Sequence, residues 1–323
     1  MADEGKSPRS ALDACSVAVF APSPVLTVTI EDAPGDPEIH LHAGGQGFWV
    51  ARMAARLGAE VILCAPLGGE AGDVLHSLLT VNGINLLSVR MEGANGAYVH
   101  DRRDGARQEI ARTPSPPLAR HELDDLCGVT LTAGLESDVV LVTGPRDERV
   151  LPAQVYQRLC RDLRANGRPV LADLSGEPLT EALKGGVDLL KVSDEELVAD
   201  GRLARREKGP TVEAARVLHD EGASNVLISR GAEPALVLAG DRLLEVDGPH
   251  FTPVDERGAG DSMFAATGIG VGAGLPIEGA VKLGVAAGAL NVARRGLGTG
   301  RLRNVSSLAE QVRVAPLSGS ETG

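Results

Sequence analysis

Asp261 stands directly behind Gly258-Ala259-Gly260, where a stretch of alternating apolar and polar residues ending near Val254 gives way to a long run of small residues. That run reads as a helix, and the glycines at its start leave backbone N–H groups uncovered. Uncovered N–H groups and the helix dipole point the same way, so such a turn attracts anions. A carboxylate among them would repel a phosphate unless it had another task. The task that fits is accepting the proton of a hydroxyl group that attacks the phosphorus. A second cluster, Ala43-Gly44-Gly45-Gln46-Gly47, precedes another helix and lets a ligand approach the backbone closely. Taken alone, it reads more simply as a glycine-rich turn.

Both clusters need a frame to bring them together. Apolar runs at 17–20, 60–65, 139–143, 169–173, 188–191 and 225–229 are strand candidates. From about residue 119 they alternate with helical segments near 119–131, 152–165, 177–183 and 211–220. Apolar strands between helices make a mostly parallel sheet flanked by helices on both faces, so the expected class is α/β. Residues 235–238 and 242–246 form a hairpin at Gly240-Asp241, and helices at 261–274 and 277–293 follow. The more polar segments 31–42 and 97–112 suggest a small sheet lying over the main one. In open α/β sheets, ligands sit at the carboxyl ends of the strands. Thr143-Gly144, Asp173, Lys191 and Ser229-Arg230-Gly231 all fall there and would share a cleft with 258–261. The expected organisation is one domain over 15–317, with a disordered lead-in at 1–14 and a disordered tail at 318–323.

A chain of 323 residues that is 43% hydrophobic sustains a sizeable core, but with 2% aromatics that core must be packed with Ala, Val and Leu. A net charge of −12 argues against nucleic acid or an anionic membrane as main partner. It leaves room for a phosphate in one locally positive pocket. Cys15, Cys64, Cys127 and Cys160 show no C-x-x-C spacing and read as reduced thiols in a cytoplasmic protein. No apolar run of about 18 residues suggests a membrane span, and the polar start lacks the plan of a secretory signal. Walker-type NTPases are excluded by the absence of G-x-x-x-x-G-K-[ST]. Nicotinamide oxidoreductases are excluded because no G-x-G-x-x-G follows the first strand.

The ordered motifs resemble the pfkB (ribokinase-like) family of carbohydrate kinases, in its 1-phosphofructokinase and tagatose-phosphate kinase branch. Gly44-Gly45-Gln46-Gly47 with Val50-Ala51-Arg52 and Arg56-Leu57-Gly58 matches the family's first pattern. Gly68-Gly69 and Gly72-Asp73 follow at its spacing. Asp188-Leu189-Leu190-Lys191 with Glu196-Leu197 is similar to its "DLIKPN..EL" segment, and Ser229-Arg230-Gly231-Ala232 to its "SLGA" turn. Gly258–Asp261 matches "GAGD", and Gly298-Thr299-Gly300 the C-terminal "GTG". The likeness spans about residues 17 to 314. It implies a ribokinase-like fold with a small β-sheet lid, ATP and Mg²⁺ as cofactors, and a sugar or sugar phosphate as acceptor. Asp261 would be the base, and Gly258, Ala259 and Gly260 the anion hole. Lys191, Ser193, Ser229, Gly231 and Ala232 would lie on the nucleotide side, and Glu196 would position Mg²⁺ through water. Thr27, Gly44, Gly45, Gln46 and Arg257 would face the acceptor. Family members often pair through the lid, so a homodimer is expected.

Departures from the pattern cluster on the acceptor side. Where the family has "NPxLD", this chain has Ser23-Pro24-Val25-Leu26-Thr27, a hydroxyl in place of a carboxylate. The Lys of "GGKG" is Gln46, whose amide lacks the charge a sugar phosphate would attract. The following Asn is Trp49, and Glu256-Arg257 replace small residues. Two accounts fit. In one the acceptor differs, and Arg257, Arg146 or Arg103 supplies the lost cation. In the other the protein binds a nucleotide or metabolite in a regulatory role without efficient transfer.

Overall fold

The computed structural model of the chain describes residue 12 and residues 15–80, 83–294 and 296–317. The expected lead-in, Leu12 apart, and the expected tail lie outside them. In chain order the strands are β1 (Ser16–Phe20), β2 (Val25–Glu31), β3 (Glu38–Gly44), β4 (Glu60–Leu67), β5 (Asn85–Arg90), β6 (Ala97–Asp101) and β7 (Gln108–Thr113). They continue with β8 (Val139–Thr143), β9 (Val170–Asp173), β10 (Leu189–Ser193), β11 (Asn225–Arg230), β12 (Glu233–Ala239), β13 (Arg242–Asp247) and β14 (Arg313–Pro316).

Side chains alternate across a strand, so an all-apolar strand must bury both faces. In β1, Val17 and Val19 enter one core while Ala18 and Phe20 enter the other. In β8, Val139 and Leu141 divide from Val140 and Val142 in the same way. Helices Gln46–Arg56, Ala259–Gly272 and Ile277–Val292 cover the first face. Helices Gln154–Ala165, Gly176–Gly185 and Lys208–Asp220 cover the second. Aliphatic residues dominate both cores, as the shortage of aromatics requires; fully buried Tyr156 is an exception, and its hydroxyl donates to Thr143 O at 3.2 Å.

The strands form a ten-stranded sheet in the order β14-β13-β12-β11-β10-β9-β8-β1-β4-β5. All neighbours from β11 to β5 are parallel, and β12, β13 and β14 add an antiparallel edge. The chain runs outward from β1 to β4 and β5, then crosses to β8 on the other side. The carboxyl ends of β1 and β8 therefore flank a topological switch, where an open α/β sheet leaves a crevice.

A separate four-stranded sheet, β3-β2-β6-β7, contains the hairpin expected around residue 104. It is larger than segments 31–42 and 97–112, because β2 pairs with β3 and β6 and not with the central sheet. Thr27, His42 and Tyr98 lie side by side in register and face the cleft. On the opposite face Ile39 is 69% and Leu41 48% exposed.

Candidate active site

Thr143, Asp173 and Lys191 are consecutive neighbours across the ends of β8, β9 and β10. Ser193 neighbours Ser229 on β11 in the same manner. Parallel pairing thus converts residues far apart in sequence into one row. Above this row lies a cleft of about 740 Å³, with Gln46, Asp173, Glu196 and Asp261 among its lining residues and the small sheet supplying Thr27, His42 and Tyr98.

Gly258 caps the Ala259–Gly272 helix in the left-handed region, at φ 72°. A side chain there would be strained, and its Cβ would meet Leu297 Cδ2 at 2.9 Å. Gly260 leaves room for a different group: a Cβ on it would stand 2.8 Å from Lys191 Nζ, and the lysine would have to shift. Asn291, on the Ile277–Val292 helix, holds this turn together. Its Nδ2 donates to Arg257 O at 2.7 Å, while its Oδ1 accepts from Ser262 Oγ at 3.1 Å and Gly298 N at 3.2 Å. The only hint of that role in the sequence is a lone amide in an Ala-, Gly- and Val-rich helix.

Lys191 Nζ donates to both oxygens of Asp173 at 3.1 Å. Burial pushes Asp173 up to about 6, although Lys191 opposes the rise. Burial also works against the Lys191 ammonium, but the Asp173, Glu196 and Asp261 carboxylates outweigh it and keep its pKa above the ordinary value. Asp261 keeps part of its surface open to the cleft. Burial of its carboxyl pushes it up to about 7, reinforced by Asp173 and Glu196 and relieved in part by Lys191. A carboxylate that titrates near neutrality is matched to taking a proton from an alcohol.

Among the residues expected in the site, Thr27, Gly44, Gly45, Gln46, Glu196, Arg257 and Asp261 line the one cleft. Gln46 is held within it, its Oε1 accepting from Gly144 N at 2.9 Å. Glu196 completes a capping box: its Oε2 accepts from Ser193 N and Ser193 Oγ at 2.8 and 2.7 Å, and Ser193 Oγ accepts from Glu196 N. Lys191, Ser193 and residues 258–260 are not among the lining residues of the cleft, and neither are Ser229, Gly231 and Ala232. The last three lie one strand further on, at the end of β11 and the turn after it.

The sequence left the source of positive charge open between Arg257, Arg146 and Arg103. Arg103 is not among the lining residues; it forms a bidentate pair with Asp101 in the exposed β6–β7 turn. Arg102 and Arg107 from that turn do line the cleft, with Arg146, Arg257 and Arg52. Arg257 is braced by Asp255, through contacts of 2.8 and 2.6 Å. Arg146 stacks over the Tyr98 ring at 4.7 Å. Arg107 Nη2 lies 3.2 Å from His100 Nδ1. Burial lowers the Arg107 pKa, and Arg257, Arg146 and Arg102 lower it further. That crowding of cations over the cleft is what an anionic ligand would relieve.

Residues 23–303 match the model of the pfkB family carbohydrate kinases. The chain is 26% identical over 281 residues to a 1-phosphofructokinase of Vibrio cholerae, covering 86% of this chain and 87% of the relative. It is 32% identical over 256 residues to an ATP-dependent 6-phosphofructokinase isozyme 2 of Mycobacterium tuberculosis, covering 76% and 73%. Among solved structures, Escherichia coli phosphofructokinase-2 in complex with potassium superposes with a TM-score of 0.80 at 23% identity, over 92% of this chain and 99% of the other. An Arabidopsis thaliana ribokinase complexed with ribose and ATP superposes with a TM-score of 0.73 at 20% identity, over 92% and 99%. These likenesses carry the ribokinase-like fold, and the match over most of the chain decides its membership: the chain belongs to the pfkB family of carbohydrate kinases.

Proposed function

We propose that the protein transfers the γ-phosphoryl group of ATP to an alcohol group of a phosphorylated sugar, with Asp261 as the general base. The single observation that carries this reading is Asp261 itself, in the first turn of a helix with bare amides, facing a cleft rimmed by arginines. The acceptor's hydroxyl attacks the phosphorus in line, its proton passes to Asp261, and the bond between phosphorus and the β–γ bridging oxygen breaks to release ADP. The amides of residues 258–260 and the Lys191 cation suit the charge that builds on the transferring oxygens. The acceptor's own phosphate fits Arg107, Arg146 and Arg257, and Thr27, Gly44, Gly45 and Gln46 fit its sugar. Ser193, Ser229, Gly231 and Ala232 would follow the nucleotide.

The donor set also suits a hydrated Mg²⁺. Glu196 lines the cleft with one carboxylate oxygen committed to Ser193, so it would hold the ion through water, and the ion would neutralise phosphate charge. Residues 15–317 would act as a single domain, with the small sheet as a lid that excludes water during transfer. The exposed Ile39 and Leu41 on the lid's outer face support pairing of two copies there. Buried free thiols fit a cytoplasmic setting. The name of the Mycobacterium tuberculosis relative, an ATP-dependent 6-phosphofructokinase, supports both the donor and a fructose phosphate as acceptor.

ADP release is measured with ATP and Mg²⁺ against fructose 1-phosphate, fructose 6-phosphate, tagatose 6-phosphate and the free sugars. Turnover is expected with at least one phosphorylated sugar. Asp261→Asn should then lower kcat by about 10²–10⁴-fold or more while ATP still binds. Tight ATP binding without turnover on any acceptor would instead favour a regulatory protein, and an active Asp261→Asn variant would remove Asp261 from its role.

A further inference from the structure

Asp173 ends β9 with 1% of its surface exposed, and Lys191, beside it on β10, is 5% exposed. A buried cation and a buried carboxylate tolerate each other only as a closely bonded pair. Here Lys191 Nζ reaches both Asp173 oxygens at 3.1 Å. On its other side the ammonium abuts Gly260, where no Cβ could be accommodated without shifting the side chain. Lys191 is thus pinned between a carboxylate and the first turn of the Ala259–Gly272 helix, and lacks the freedom of a surface lysine that swings to meet a phosphate. Gln46 lies next to Asp173. Its Oε1 is engaged by Gly144 N at 2.9 Å, and its amide holds the Asp173 pKa down.

We propose that Asp173 is a positioning residue for phosphoryl transfer, locking Lys191 beside Gly260 so that its charge adds to that of the helix N-terminus. This assigns Gln46 a second task beside facing the acceptor. Its neutral amide can serve Asp173 and Gly144 at once, whereas an ammonium at that position would compete with Lys191 for the same carboxylate. The inference rests on the phosphotransferase reading for its kinetic consequences, but its electrostatic consequence can be read in the protein alone. The charged groups facing Asp261 are Asp173 from β9, Lys191 from β10 and Glu196 from the Asp194–Ala199 helix. Those facing Asp173 are Lys191, Glu196 and Asp261.

The test is a pH titration of carboxyl ¹³C signals in the full-length protein, with the Asp261 signal identified by its loss in Asp261→Asn. Asp173→Asn removes a like charge, and should lower the Asp261 midpoint by about one pH unit. Lys191→Met removes the opposing charge, and should raise it by about as much. An Asp261 midpoint that moves in neither variant would overturn the proposal. With ATP and whichever sugar phosphate is turned over, Asp173→Asn should lower kcat by roughly tenfold or more at saturating ATP, with the KM for ATP within about twofold. An unchanged kcat, or a loss confined to KM, would also overturn it. Should Asp173→Asn fail to fold, Gln46→Leu carries the test, and the Asp173 midpoint must rise in it for the proposal to stand. The titration needs no turnover, so failure of the phosphotransferase reading and failure of this inference are distinguishable.

Discussion

Asp261 carries opposite demands of chemistry and stability. Its carboxyl moves from the ordinary 3.8 to about 7, and Asp173 moves to about 6. The folded protein holds both protons to higher pH than the unfolded chain does. Both groups therefore favour folding below the unfolded value, and that contribution is lost as pH rises through about 6 and about 7. The proposed role as base runs the other way, because it needs the ionised carboxylate: kcat/KM should then climb through about pH 7 and level off above it, as a pH–rate profile would show. Asp261→Asn should raise Tm relative to the native chain at pH 8, by roughly 2–4 °C, and leave it nearly unchanged at pH 4. An equal difference at both pH values would assign the effect to packing. The glycines and the acid at 258–261 were legible in the sequence because close backbone approach and an anion-binding turn demand particular residue types. Asn291 was not, since a buried amide acquires meaning only from the three segments that converge on it.

At the scale of elements, the site is an intersection of two sheets. The central sheet provides the row at the ends of β8, β9 and β10, and the small sheet provides a wall carrying Thr27, Tyr98 and the arginines of its β6–β7 turn. The parallel strands could be read from apolar runs between helices. The assignment of β2 to the small sheet could not, because Val25, Leu26, Val28 and Ile30 look as apolar as any central strand. Register also decided which arginine faces the cleft: Arg103 folds back on Asp101, leaving Arg102 and Arg107 as lining residues. Arg146→Gln and Arg107→Gln should each raise KM for a phosphorylated acceptor by about 10–100-fold and leave KM for ATP unchanged, as steady-state kinetics with each substrate varied would show. Equal effects on both substrates would argue against an acceptor-side role.

At the scale of the whole molecule, a net charge of −12 coexists with five arginines in the cleft lining, interleaved with carboxylates, so any attraction they exert on an anion acts at short range. The outer face of the small sheet presents Ile39 and Leu41 to solvent, and a second copy would cover them. Ile39→Asp with Leu41→Asp should shift the protein from dimer to monomer in analytical ultracentrifugation; a native chain that sediments as a monomer would refute the pairing outright. No helix among the described residues is long and apolar enough to cross a membrane. The scarcity of aromatic residues, which left the core to aliphatic packing, has a last consequence. Trp49 is the sole tryptophan, half-buried in the cleft wall, with the Arg52 guanidinium 5.7 Å from its ring centre. Its emission is therefore a native optical gauge of the cleft: without any introduced label, its intensity and wavelength should register an occupant's arrival and departure.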